Sequence, residues 1–276
     1  MPTRILLQTT ILPTPDDWHI GRFSRLRDHL ASLDGVEVVA RDREAPPGEI
    51  DPVLGGLDRS DFDQLWLFAV DVGDGLNGDE CAAIGRFRKA GGGLMVTRDH
   101  MDLGVSVCTL GGVGAAHYFH SKNQDPDQSR HSRDDPYTTN IDWPNYHSGA
   151  NGDFQAVELV GPPHPLFDGV SRLPSHPHEG AVGAPPDDPS ARVIARGTSK
   201  VTGRPFNIAV AFEAGPDGGR ALAESTFHHY CDYNLDPRHG CPSFVDEPPG
   251  DGMTRDPAAQ HEALRYFANV ARWLSA

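Results

Sequence analysis

Three short apolar runs constrain this chain more than any other feature. "RILLQ" (Arg4 to Gln8), "DQLWLFAV" (Asp63 to Val70) and "GLMVT" (Gly93 to Thr97) are apolar at consecutive rather than alternate positions. A strand with one wet face alternates. A strand apolar throughout is buried on both faces, as in a parallel sheet covered by helices. The segments between these runs carry helical spacing. In "WHIGRFSRLRDHLASLDG", Ile20, Phe23, Leu26, Leu30 and Leu33 recur every three or four residues, and Gly35 follows as a C-cap. "NGDECAAIGRFRKAGGG" reads as a capped amphipathic helix stopped by three glycines, and "VEVVAR" as a further strand. The order strand, helix, strand, strand, helix, strand implies an α/β domain with helices on both faces of a mostly parallel sheet. In such sheets the ligand site lies outside the carboxyl ends of the strands, so the segment after Thr97 is expected to face it.

From Met101 to Gly152 the rhythm breaks. This stretch is polar, rich in Gly, Asn, Asp and His, and holds one short helix around Leu103 to Thr109. Its aromatic residues argue against disorder, so it reads as a functional, loop-rich insertion at about 101–152. "FQAVELV", "GAVGA", "ARVIARGT", "FNIAVAFE" and "GRALAEST" then read as strands, and "DPAAQHEALRYFANVARWLSA" as a closing amphipathic helix. With no repeat and no linker, residues 1–276 are expected to form a single domain.

Composition narrows the function. Lys plus Arg total 24 against 39 Asp plus Glu, a net charge of -15. A surface this acidic argues against nucleic acid or an anionic membrane as partner. It leaves a small molecule as the expected ligand, with a homo-oligomer open. No apolar run reaches a membrane span, and "MPTRILLQTT" shows no signal-peptide pattern. A reducing, cytoplasmic setting is therefore expected for Cys81, Cys108, Cys231 and Cys241, which form no C-x-x-C pair. The unusual count is histidine, at 14.

Several segments together resemble a family. "GGGLMVTRDH" after "QLWLFAV", then "HPLFDGV", then "GGRALAESTFHH" before a final helix, occur in order over most of the chain. They resemble the class I glutamine amidotransferase-like superfamily in its trehalose-utilisation (ThuA-like) branch. The resemblance implies a three-layer, flavodoxin-like α/β sandwich and a sugar-derived substrate. It also implies that His228 occupies the position of the family's strand-end histidine. Where the amidotransferases carry a cysteine nucleophile in a Gly-x-Cys-x-Gly turn, this chain has "TRDHMDLG".

Five clusters carry chemistry. In "TRDH", Arg98 is suited to bind an anionic group, Asp99 to orient an imidazole and His100 to act as general base. In "HPHEG", His176 and His178 project to one side of an extended segment and suit a metal, with Glu179 opposite as a further catalytic candidate. In "AHYFHSKN", His117 and His120 stand three apart, a metal pair if the turn is helical. In "WPNYHSGANGDFQ", Trp143, Asn145, His147 and Asn151 suit stacking on and hydrogen bonding to a polyhydroxylated ligand. In "TFHHYCDYN", one of His228 and His229 should face the crevice, oriented by Asp232 or by Glu224.

The expectation is a hydrolase or lyase acting on a small polar substrate by histidine acid/base chemistry, assisted by a divalent metal such as Zn or Fe. Two rivals stand beside it. One is a cysteine-dependent amidase using Cys108 or Cys231, and the other a ligand-binding or assembly module without catalysis.

Overall fold

The three apolar runs form the centre of an eight-stranded sheet. The structure is a computed structural model that describes residues 2–110 and 112–275, apart from the side chains at 108 and 109. The first half runs β1 (Thr3–Thr9), α1 (Ser24–Ala31), β2 (Val36–Arg41), α2 (Pro52–Gly55), β3 (Gln64–Phe68), α3 (Gly78–Lys89) and β4 (Gly93–Thr97). Five short strands follow: β5 (His117–Tyr118), β6 (Phe154–Ala156), β7 (Glu158–Leu159), β8 (Arg172–Pro174) and β9 (Ala181–Val182). The chain then forms β10 (Ala191–Thr198), β11 (Pro205–Phe212), β12 (Ala221–Glu224), α4 (Asp232–Leu235), α5 (Gly252–Arg255) and α6 (Pro257–Leu274).

The sheet order is β2-β1-β3-β4-β12-β11-β10-β7. The first five strands pair in parallel, and the last three extend the sheet antiparallel. The order of the parallel strands, with β12 as the fifth, is that of a flavodoxin-like doubly wound sheet. Side chains alternate between two cores as the strand period requires. Ile5, Leu7, Trp66, Phe68 and Met95 face α1 and α6, while Leu6, Leu65, Leu67, Leu94 and Val96 face α2 and α3. Three layers result, and the continuous apolar runs are explained.

Local signals hold the helices in place. The Asn77 side chain accepts from the backbone of Asp79 and Glu80, while Glu80 accepts from the Asn77 backbone at 2.9 Å, a complete capping box at the start of α3. Asp256 caps α6 and Pro257 occupies its first turn, where a missing N–H costs nothing. Burial of a side chain such as Phe267 on that helix contributes roughly 1.5–3 kcal/mol. No helix among the described residues is long and apolar enough to cross a membrane.

Three expectations need correction. "FQAVELV" is not one strand: β6 pairs with β8 in a separate small sheet, and β7 edges the main one. "GAVGA" contributes only the two residues of β9. His117 and His120 are not on a helical turn, because His117 lies in β5 and His120 beyond it.

Candidate functional site

The parallel pairing of β4 with β12 decides what meets at the carboxyl edge. Thr97 is in register with Glu224, so the two chains leave the sheet side by side. They stay joined: Phe227 N–H donates to Arg98 O at 2.8 Å, and the Thr226 hydroxyl donates to Asp99 Oδ1 at 3.0 Å. Asp99 comes off β4 and His228 off β12. His176 arrives on the segment after β8, anchored by its backbone N–H to the Ser148 hydroxyl at 2.9 Å. Immediately after His100, Met101 adopts φ 46°, a left-handed conformation that non-glycine residues seldom take and that concentrates at functional turns.

Asp99 is the centre. His100 Nδ1 lies 2.8 Å from its Oδ2, His176 Nε2 3.2 Å from its Oδ1, and His228 Nε2 3.7 Å from its Oδ2. The His176 and His228 rings stack face to face, with centroids 3.6 Å apart and planes 9° from parallel. His178 stands beside them, its ring 5.4 Å from His100 and 5.5 Å from His176, with its own Nε2 2.7 Å from Glu247 Oε1. Asp99, His176, His178 and His228 are all at most 4% exposed, and the His100 side chain, at 22%, is the group in the cluster that meets solvent.

A hydrogen-bond chain fixes two tautomers. It starts at a backbone carbonyl, which cannot be flipped. Ser175 O accepts from Asn234 Nδ2 at 2.8 Å, and the same nitrogen donates to Asn151 Oδ1 at 2.8 Å. Asn234 Oδ1 must then face His228 Nδ1, and Asn151 Oδ1 must face His176 Nδ1, each at 2.8 Å. Both contacts require the imidazole to donate, so Nδ1 carries the proton and Nε2 of each neutral ring is a bare lone pair directed at Asp99. His176 Nε2 and His100 Nδ1, although close to the carboxylate, have no aligned hydrogen bond.

Electrostatics follow from this crowding. Burial, and then the neighbouring His228, push His176 well below the usual imidazole value, so its lone pair is available at neutral pH.

The second histidine of the pair turns the other way. His229 Nδ1 is 3.0 Å from Glu224 Oε2, and its Nε2 is 3.5 Å from Glu179 Oε2. Burial disfavours the imidazolium, yet Glu179 and Glu224 raise its pKa to about 10. Tyr266 donates to Glu224, while the Ser225 hydroxyl donates to Glu179 at 2.8 Å. Glu179 thus sits at 0% exposure as the partner of His229.

The remaining expected residues divide. Asn151 belongs to the site as the partner of His176. Arg98 is wholly buried, with its guanidinium 4.1 Å from the Phe119 ring centroid and donating to Met101 O, so it braces the turn and presents no charge to a ligand. Trp143 stacks on His131 at 3.6 Å. Asn145 spends its amide on Asp134 N and Ile141 O, and His147 Nδ1 lies 3.3 Å from Pro177 O. His117 is buried, and burial, followed by the Arg98 charge, lowers its pKa to about 3. His120 tilts against Trp143. Neither His117 nor His120 joins a metal-ligating group among the described residues. Asp232 does not orient His228: it caps α1, accepting from Ser24 N at 2.9 Å and Arg25 N at 2.8 Å. Glu224 orients His229 instead.

Sequence reasoning missed Asn234, whose amide fixes both tautomers, and Glu247, the partner of His178. Asn234 stands six residues after His228, and no spacing rule marks an asparagine as an imidazole's partner. Cys231 is buried, donates to Arg22 O at 3.5 Å, and burial raises its thiol well above the usual value. The Cys108 side chain lies outside the described residues. Cys231 and Cys241 are both free thiols.

No protein-family model and no curated protein matches this sequence. Among solved structures, the chain is similar to the cytoplasmic protein STM1381 from Salmonella typhimurium LT2, with TM-score 0.50, 10% identity, and 99% of this chain and 100% of that one covered. It is also similar to the Trypanosoma brucei CTPS glutaminase domain with bound acivicin, with TM-score 0.49, 17% identity, and 99% and 97% covered. A third is a thua-like protein from Parabacteroides merdae ATCC 43184, with TM-score 0.49, 14% identity, and 100% and 91% covered. At these identities the likeness is one of fold and transfers no residue roles.

Proposed function

We propose that the chain is an enzyme that hydrolyses, or eliminates a group from, a small polar substrate at the Asp99 cluster. The observation that carries this reading is the pair of tautomer-fixed imidazoles aimed at one buried carboxylate. Burying four imidazoles and a carboxylate without closing their hydrogen bonds costs stability, and such concentrations of perturbed groups gather at functional sites.

In this reading His228 is the base. Its Nδ1–H is held by Asn234, so its Nε2 lone pair takes a proton from water while the water oxygen bonds to the electrophilic carbon. Asp99, 3.7 Å away, stabilises the imidazolium, which returns the proton to the leaving group as its bond to carbon breaks. In an elimination, the same nitrogen takes the proton from carbon and returns it to the departing group. His100 is the member exposed enough to meet substrate. A sugar-derived substrate is the choice favoured by the ThuA-like segments of the sequence.

The cysteine-dependent alternative through Cys231 loses ground, because its thiol is sealed and disfavours the thiolate. The test is a turnover screen of sugar-derived lactones, esters and amides with the wild type, His228→Gln and Asp99→Asn. Turnover by the wild type, reduced at least about 100-fold in both variants, is expected. Variants as fast as the wild type would sink the reading.

A further inference from the structure

We propose that Asp99, His100 and His176 bind one divalent transition-metal ion of the zinc class, with His100 Nδ1, His176 Nε2 and an Asp99 oxygen as donors. The inference deepens the reading of the Asp99 cluster as the working centre and rests on it. Of the four histidines whose spacing first suggested a metal, the ligand set keeps His176, leaves out His117, His120 and His178, and adds Asp99 and His100.

Three independent observations converge. The first is spacing. One donor atom from each of the three residues lies within 4.8 Å of the others. Zinc donors 2.0–2.1 Å from the ion stand roughly 3.3 Å apart in a tetrahedron. His100 Nδ1 lies 2.8 Å from Asp99 Oδ2 and His176 Nε2 3.2 Å from Asp99 Oδ1, so the two imidazole donors flank one carboxylate, each at about such a spacing from its own oxygen.

The second is protonation. The chain from Ser175 O through Asn234 and Asn151 places the proton of His176 on Nδ1. Its Nε2 lone pair therefore faces a carboxylate oxygen, an arrangement that is repulsive unless a cation lies between them. An outer amide holding the far N–H of an imidazole is how metal-ligating histidines are oriented.

The third is satisfaction. His100 Nδ1 and His176 Nε2, the proposed donor atoms, are buried nitrogens that form no aligned hydrogen bond, although an Asp99 oxygen lies within 3.2 Å of each. Buried polar atoms are ordinarily paired, and an exception calls for a missing partner.

The donor chemistry selects the ion. Two imidazoles and one carboxylate suit Zn, Fe or Co, whereas Mg and Ca demand oxygen ligands throughout. Three protein ligands leave a coordination position open, as catalytic rather than structural sites do. His228 Nε2, 3.7 Å from Asp99 Oδ2, is not needed as a ligand and keeps its role as base.

The experiment uses the full chain, stripped with a chelator and titrated with Zn²⁺ by calorimetry and with Co²⁺ by visible absorption. One ion per chain is expected, with a four- or five-coordinate cobalt spectrum. His176→Gln and His100→Gln should weaken binding at least about 100-fold, and Asn151→Ala about 10- to 100-fold. His120→Gln should leave it unchanged. Circular dichroism checks that each variant is folded. Should His176→Gln unfold, the wild-type cobalt spectrum decides instead, and a hydrated six-coordinate spectrum overturns the proposal. No titratable ion, or undiminished binding in folded His176→Gln, also overturns it. Turnover that survives chelation and still depends on His228 rejects the metal and leaves the enzymatic reading standing. Stoichiometric binding without turnover in the substrate screen does the reverse.

Discussion

His228 and His229 are neighbours in sequence, equally buried, and each within reach of carboxylates, yet they sit in opposite kinds of environment. His229 has a carboxylate on each nitrogen, and those carboxylates are themselves bonded to Ser225, Gln155 and Tyr266. Both nitrogens of its ring are partnered. Around Asp99 the asparagines hold the outer nitrogens of His176 and His228, while His176 Nε2 forms no aligned hydrogen bond and His228 Nε2 stands 3.7 Å from Asp99. The comparison teaches that burial and charge do not by themselves separate a structural histidine from a working one. What differs between these two is their partners: His229 has a carboxylate at each nitrogen, whereas His228 has Asn234 at Nδ1 and Asp99 only at 3.7 Å from Nε2.

The largest effect should come from breaking the His229 cluster. His229→Gln leaves Glu179 and Glu224 buried without their cation, and removing one partner of a buried pair costs about 3–5 kcal/mol. For a chain of this size that lowers Tm by roughly 10 °C, read by thermal melting. The same substitution one residue earlier should spare the fold: His228→Gln should cost about 100-fold in turnover while the melting curve stays near that of the wild type. If the two variants exchange phenotypes, His229 is not the structural member of the pair and His228 is not the base.

The pH dependence sharpens the same contrast. The folded-state pKa of His229 is raised to about 10, above its ordinary value of about 6.5. Its contribution to stability is thus fully present below about pH 6.5 and is lost as pH rises through about 10. Asp51 behaves oppositely. Although burial opposes its ionisation, Arg41 and backbone donors lower its pKa to about 2, so its contribution is present above about pH 3.8 and is lost as pH falls through 2. Urea midpoints measured against pH should show both declines in the wild type. His229→Gln should remove the contribution to the alkaline decline, at most about 1.4 kcal/mol per pH unit, and leave the acid one.

The smallest effect tests a residue that the sequence offers as an orienting partner of His228. Asp232→Ala removes the cap of α1 and should cost about 1 kcal/mol, with turnover unchanged. A large loss of turnover would return Asp232 to the active site.

Much of the fold was legible along the chain. The apolar runs of β1, β3 and β4, the capped helix α3 and the closing helix α6 follow from hydrophobic period and from Asn and Pro at helix starts, which are local properties. The loop between β4 and β6 was legible only as an absence of period. Within the site, Asp99, His100 and His228 were marked by their place after apolar strands. His176 and His178 were marked by alternate spacing, and the structure brings their rings within 5.5 Å. Asn234 and Glu247 were not marked, because nothing in the spacing of an amide or a carboxylate says which distant imidazole it meets.

The sequence by itself determined that strands would be buried on both faces, that polar residues would collect where they end, and that histidine would be the chemistry available there. Only the tertiary structure decided which histidines were used. The parallel pairing of β4 with β12 aligns Thr97 with Glu224, carrying Asp99 and His228 out of the sheet together, and the segment after β8 delivers His176 between them. The physical reason is range. Periodicity and capping act over one turn or one pleat, whereas contacts that build the site also join residues 25 to 127 positions apart, as Asn151 with His176 and Asp99 with Thr226.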